Sequence, residues 1–202
     1  MSNKAYVPNK IKFYYKNSDF KSVLKEVSIL NIGEIKSKET LYMITLAYDQ
    51  VALKKNKRTM KSMQRLAKKY ASIIIKRFPS WDKGYFVMGL VLQHSNKAGL
   101  ALNFYKKAQQ KNLKNTLYYL SLGNGHRAIK NYKLSQYWYE KALKIKKIRH
   151  LASVNLVSLY EEMNEEDLVK KYAKKSLGLL KNKKDPFSIN QKERMRKILK
   201  LS

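Results

Sequence analysis

Residues 122–130 read LGNGHRAIK: two glycines one residue apart, then a histidine and two cations. Two readings compete for this stretch. Gly123-x-Gly125 could open a phosphate-cradling loop, which would have to follow a strand and start a helix. Alternatively, Leu122-Gly123 could be one copy of a repeated element, which would show as matching residue types at a constant interval.

The interval exists. Gly89 and Gly123 lie 34 residues apart, and so do Tyr85 and Tyr119, Tyr105 and Tyr139, and Ala108 and Ala142. An aromatic ladder keeps the same step through Tyr70, Phe104, Trp138 and Tyr172, and a small-residue column follows through Ala67, Ala101, Ser135 and a looser Val169. Several independent columns on one period mark an internal repeat. The chain has only 7 glycines and 3 prolines, and its apolar residues recur at spacings of three and four, which predicts an all-helical chain. TLYYLSL, just before the glycines, falls in the first helix of a repeat, and no βαβ pattern surrounds it. The phosphate-loop reading therefore lapses. Gly123 belongs to the repeat, whereas Gly125 has no counterpart one period earlier, where Val91 stands.

This pattern resembles the tetratricopeptide repeat (TPR), a 34-residue helix–turn–helix unit. Tyr85, Met88-Gly89, Ala101, Tyr105 and Ala108 match it in residues 82–115, and Tyr119, Leu122-Gly123-Asn124, Ser135, Tyr139 and Ala142 match it in 116–149. A weaker unit at 150–183 keeps Leu156, Tyr160, Val169, Ala173 and Ser176 but has Val157 in place of the glycine. Another at 48–81 keeps Ala67, Ala71 and Pro79 but puts Lys54-Lys55 where Leu-Gly belongs. Its first helix is expected to start earlier, near Glu39, with LYMITLAYDQVAL as the apolar stretch.

The resemblance implies an all-α, right-handed TPR-like α-solenoid of four or five helical hairpins. Residues 1–202 are read as one domain: a degenerate hairpin at 8–38, four repeat units over 39–183 and a capping helix at 184–202. The N-terminal hairpin rests on the apolar stripe Phe20, Val23, Leu24, Val27 and Leu30 after the Asn-Ser-Asp turn at 17–19. The capping helix rests on Asp185-Pro186 as N-cap and first helical residue, with a Ser188-x-x-Gln191 capping box as the alternative. Met195, Ile198 and Leu199 give it one apolar side and Lys192, Arg194, Arg196 and Lys197 a wet one, as the end of an open array requires.

The charge is the other dominant feature. Against 44 Lys and Arg stand 14 Asp and Glu, a net +30. The excess is spread as +13, +11 and +6 over residues 1–79, 80–147 and 148–202. Such a surface attracts anionic partners, whether nucleic acid, membrane or acidic protein. Lysine dominates (37 Lys to 7 Arg), whereas arginine is the residue suited to bidentate phosphate recognition. With no cysteine, disulfide and thiolate chemistry are excluded. Residues 1–16 lack the continuous apolar core of a secretory leader, and the longest uncharged apolar run, YFVMGLVL at 85–92, is too short to span a bilayer. A cytoplasmic location is expected.

No catalytic residue, cofactor site or metal site is expected. His94, His126 and His150 are not at helical metal spacing, although His94 and His126 end the first helices of adjacent repeats. The acidic cluster Glu161, Glu162, Glu165, Glu166 and Asp167 runs through a helix end and turn, with Glu166–Lys170 and Asp167–Lys171 spaced for local neutralisation.

Two surfaces are candidates for binding. The resemblance implies that the first helices line a groove that takes an extended peptide or a helix of a protein partner. The positions facing it are Lys83, Phe86, Leu90, Gln93 and His94, then Leu117, Leu120, Asn124 and Arg127, then Leu151, Asn155, Ser158 and Glu162. One variant of the family clamps a carboxylate with a Lys–Asn–Asn–Lys–Arg set. Asn124 and Asn155 stand at its Asn positions, but Phe86 or Leu120 replaces the first Lys, so that clamp is incomplete. The second surface is a basic ridge on the second helices: Lys68 and Lys69, Lys106 and Lys107, Lys141, Lys170 and Lys171, and Lys174 and Lys175. It predicts non-specific, salt-sensitive RNA binding as the alternative function.

Overall fold

The computed structural model describes residues 7–200, so residues 1–6 and 201–202 of the expected domain lie outside the described residues. The described residues form eleven α-helices and one 3-10 turn, with no strand. They divide into two compact units, one up to Asn112 and the other from Leu113 onward.

In the first unit, α1 (Val7–Lys16) and α2 (Phe20–Val27) pack against each other. Asp19 caps α2 by accepting from the Ser22 N–H at 3.1 Å, and Val23 and Val27 are buried. A 3-10 turn, Ile32–Glu34, leads to α3 (Lys38–Ala52), capped by Ser37. Thus α3 begins where LYMITLAYDQVAL predicted. It pairs with α4 (Lys57–Arg77), capped by Asn56, and α5 (Asp82–His94) pairs with α6 (Ala98–Lys111). First helices also touch one another, α1 on α3 and α3 on α5.

The second unit continues the pattern. α7 (Leu117–Ala128) pairs with α8 (Tyr132–Leu143) and α9 (Arg149–Glu162) with α10 (Glu166–Leu180). α11 (Pro186–Ile198) lies on α10. Gly125 is buried within α7, which runs on through it to Ala128. Of the two caps weighed for α11, Asp185 is the one formed: its carboxylate accepts from the Ser188 N–H (3.0 Å) and hydroxyl (2.7 Å).

The 34-residue period has a local physical cause. The Tyr105 ring lies on the Cα of Gly89 and the Tyr139 ring on that of Gly123, so closely that an added methyl would overlap the ring. Both tyrosines are fully buried. Glycine is required here for close approach, and the ring fills the space vacated. In the α9–α10 hairpin both halves of the pair change together: Val157 replaces the glycine and Ala173 the tyrosine, and both are fully buried. The volume moves from one helix to the other. Met195 of α11, also fully buried, packs against Val157 and Ala173. The loss of the glycine signature at 157 is thus where the array ends and the capping helix docks.

The turns repeat as well. Asn96, Lys130 and Asn164 occupy the same turn position at 34-residue steps, and each has a left-handed backbone, with φ of 57° or 58°. In each, the next residue's N–H reaches back five residues, Lys97 to Leu92, Asn131 to His126 and Glu165 to Tyr160, at 2.9–3.0 Å. This is the Schellman closure of a helix C-terminus. Ser18, with φ 57°, closes α1 the same way through Asp19 to Tyr14.

Candidate functional site

Of the positions expected to face a groove, those on α5 lie in the first unit. Lys83 is exposed, and Phe86, Leu90, Gln93 and His94 are half-buried. Phe86 rests against Tyr105 with ring centroids 5.9 Å apart. The Tyr105 hydroxyl donates to Gln93 Oε1 at 3.0 Å. His94 donates from Nδ1 to Asp49 Oδ2 at 2.7 Å, tying α5 to α3. Asp49 is fully buried, and its Oδ1 has no hydrogen-bond partner. The hydrogen bond to Asp49 holds the His94 imidazole above its ordinary value, against the opposing effect of burial. Gln64 Nε2 of α4 donates to the His94 carbonyl at 2.9 Å, so three helices meet at this residue. Asp49 was missed at the sequence level because it lies in the hairpin whose register departs from the family pattern.

The start of α5 holds another group that the sequence did not single out. The Trp81 indole has Tyr42 of α3 edge-on at 5.8 Å. Lys38 Nζ lies 5.3 Å and Lys83 Nζ 5.9 Å from its ring centroid. Of these residues only Lys83 was expected at a binding face; the others lie before the helix that matched the family pattern.

The remaining expected positions lie in the second unit, on α7 and α9. Leu117 is exposed and Leu120 buried; Asn124, Arg127, Leu151, Asn155 and Ser158 are half-buried, and Glu162 is exposed. Most of the polar groups have partners within the unit. Asn124 Oδ1 accepts from the Tyr139 hydroxyl, which burial pushes up to about 12. Arg127 Nε stands 3.7 Å from Glu162. Ser158 accepts from Arg194 of α11 at 3.1 Å, and the same guanidinium pairs with Glu161. Asn124, one of the two clamp asparagines, is therefore committed to holding its own hairpin. In the acidic cluster, Glu166 pairs with Lys170 at 4.0 Å, while Glu161 and Glu162 take the arginines.

The lysines expected to form a basic ridge are exposed with one exception. Lys69, Lys106, Lys107, Lys141, Lys170, Lys171, Lys174 and Lys175 are exposed, and Lys68 is half-buried. Several lie over the aromatic ladder: Lys107 over Phe104 at 5.8 Å, Lys141 over Trp138 at 5.5 Å (and over the neighbouring Tyr137 at 4.5 Å), and Lys171 and Lys175 over Tyr172 at 5.9 Å each. Tyr70 of that ladder is buried, whereas Phe104, Trp138 and Tyr172 are half-buried. Among the described residues no three His, Asp or Glu side chains are grouped to hold a metal ion, and no helix is long and apolar enough to cross a membrane.

Solved structures share this architecture. The thermophilic TPR protein TTC0263 of Thermus thermophilus superposes with a TM-score of 0.76 at 15% identity, over 98% of this chain and 99% of that one. The fold is a TPR-like helical repeat. MamA (41-end) from Desulfovibrio magneticus RS-1 matches this TPR-like chain with a TM-score of 0.70 at 14% identity, over 92% of this chain and 99% of that one. A further MamA crystal structure matches with a TM-score of 0.65 at 17% identity, over 89% and 92%. No protein-family model and no curated protein sequence matches the chain.

Proposed function

We propose that residues 1–202 form one non-catalytic, cytoplasmic TPR-like scaffold that binds a protein partner along the face of its first helices. The partner is acidic or part of a larger assembly. The observation that carries this reading is how the repeat spends its side chains. Second helices give their aromatics and small residues to packing, while Lys83, Phe86, Leu90, Asn155 and Ser158 on first helices remain at least partly exposed. A mixed apolar and polar face of this kind supplies anchors and orientation for a peptide or helix. The fold is shared with TPR proteins, which supports a protein-interaction role. The net charge of +30 favours an acidic partner by steering the encounter.

A second reading has its own observation. Lysines lie over half-buried aromatics on α6 in the first unit and on α8 and α10 in the second, an arrangement of the sort that tracks a nucleic-acid backbone. Affinity capture from the native cell, with and without nuclease, separates the two. On the scaffold reading a protein partner survives nuclease and is lost with Arg127→Glu or Phe86→Ala. Capture that disappears with nuclease, or with reversal of Lys107, Lys141 and Lys175, supports RNA binding instead.

A further inference from the structure

Within the second unit, one face of α8 departs from the composition of the other second helices. Lys133, Leu134, Tyr137, Lys141 and Lys144 follow the three- and four-residue spacing of a single helix stripe, and all five are exposed. At the corresponding positions α6 has Gly99, Leu100, Asn103, Lys107 and Gln110, and α10 has Asp167, Leu168, Lys171, Lys175 and Gly178. Three lysines and a tyrosine therefore stand where α6 has one lysine and α10 sets two lysines against an aspartate. The hairpin itself does not require them, since the others close without them. The turn before α8 adds to the stripe. Ile129 is 44% exposed there, and Lys130 holds a left-handed backbone (φ 58°) that asparagine takes at positions 96 and 164. A lysine kept at a strained position points to a use for its side chain.

The stripe is apolar as well as basic. Leu134 is 41% and Tyr137 45% exposed, unusual for large apolar side chains on a helix that also has a core to fill. Tyr137 meets Trp138 edge-on at 5.1 Å, and Trp138 leans on Tyr119 at 5.7 Å. Lys141 Nζ lies 4.5 Å from the Tyr137 centroid and 5.5 Å from that of Trp138. The one carboxylate on α8, Glu140, is half-buried and accepts from Gln136 Nε2 at 2.8 Å.

We propose that this face of α8 docks on an anionic lipid surface. Lys130, Lys133, Lys141 and Lys144 meet headgroup anions, while Ile129, Leu134 and Tyr137 enter the boundary between headgroups and acyl chains. Charge complementarity and the exposed aliphatics together identify the occupant. Lysine suits it, because the ammonium reaches the headgroups while the stem lies along apolar surface. RNA would use the lysines and the Tyr137 ring but gains little from Ile129 and Leu134. Three apolar side chains are too few for permanent insertion, so the docking is reversible and weakens with salt. The first helices play no part in this contact, which is independent of the protein partner proposed for them.

The chain has 2 tryptophans, so Trp81→Phe leaves Trp138 as the sole indole reporter, in contact with Tyr137 of the stripe. In that full-length background the protein is titrated with phosphatidylcholine vesicles, with vesicles in which about a third of the lipid is phosphatidylserine, and with an oligouridylate RNA. The expected result is a saturable blue shift of Trp138 emission with the anionic vesicles only, and quenching by lipid brominated in its acyl chains. Leu134→Ser/Tyr137→Ser, which leaves the charge unchanged, and Lys133→Gln/Lys144→Gln should each weaken vesicle binding about tenfold or more, with circular dichroism and melting temperature as in the parent. Leu134→Gln makes the same test without disturbing the contact of Tyr137 with Trp138. Lys54→Gln/Lys55→Gln, which removes the same charge from exposed positions in the first unit, should change binding by less than about threefold. No blue shift or quenching, equal loss from the two lysine pairs, or indifference to the Leu134 and Tyr137 changes would overturn the proposal. RNA binding that falls as far as vesicle binding in the Leu134 and Tyr137 variants would also overturn it and assign the face to nucleic acid.

Discussion

Tyr139 lies with its ring against the Cα of Gly123, and Ala173 faces Val157 at the same two positions one repeat later. One pair places the bulk on the second helix, the other on the first. The exchange turns a sequence exception into a packing rule, and it can be tested by moving it. Gly123→Val should destabilise the chain by about 1–3 kcal/mol through overpacking. Tyr139→Ala should cost about 3–5 kcal/mol through the cavity it leaves. In a double-mutant cycle followed by urea unfolding, the combined variant should cost at least about 1 kcal/mol less than the two singles together. Strict additivity would mean that the two sites do not share one volume.

Lys130 holds a left-handed backbone conformation that asparagine holds at positions 96 and 164. A lysine there strains its Cβ against the backbone, whereas glycine carries no such penalty. Lys130→Gly should therefore stabilise the chain by about 0.5–1 kcal/mol, and Lys130→Asn by less. The change should appear as a higher urea midpoint at unchanged slope. A destabilised Lys130→Gly would show that the lysine side chain contributes something its turn geometry does not reveal.

His94 and Asp49 give part of the stability a pH dependence whose sign follows from the pair. The hydrogen bond to Asp49 raises the folded imidazole above its ordinary value of 6.5. This contribution is fully present below the unfolded value and is lost as pH rises through the higher folded one. His150 acts in the opposite sense, its imidazole lowered by burial and then by Lys183. The comparison should therefore be made against Asp49→Asn. The parent's stability advantage over that variant should shrink between about pH 6 and 8. By NMR, His94 should titrate above 6.5 in the parent and fall towards that value in Asp49→Asn. An advantage that grows with pH would contradict the pair as described.

Met195 seats α11 on Val157 and Ala173 and is fully buried. Met195→Ala should cost about 2–5 kcal/mol, with the loss felt first as increased amide exchange in α11 and α10. Arg194→Ala removes a half-exposed ion pair with Glu161 and a hydrogen bond to Ser158, and should cost no more than about 1 kcal/mol. If the arginine change proved the larger, α11 would be held by charge rather than by packing.

The repeat, its helices and its ends were legible in the order of the residues. Gly89, Gly123, Tyr105 and Tyr139 expose the period because a close helix contact demands glycine and its partner must be a ring. Asp185-Pro186 and Met195 mark the last helix because caps and apolar stripes are local signals. The N-terminal hairpins were harder to place. There α3 and α4 are joined through Leu53–Asn56 without the left-handed turn residue of the later hairpins, so the 34-residue register loses its phase.

The binding residues divided differently. Lys83, Asn124 and Arg127 could be assigned to first helices from their place in the repeat, but their availability could not, since that depends on partners distant in sequence. Asn124 is held by Tyr139 and Arg127 by Glu162. Sequence alone determined which faces the helices present, because burial follows the period of the chain. Only the tertiary structure decided that Asp49 meets His94 and that Lys38 and Lys83 share the Trp81 ring. Those contacts join separate helices, and their distances follow from packing, which no local spacing encodes.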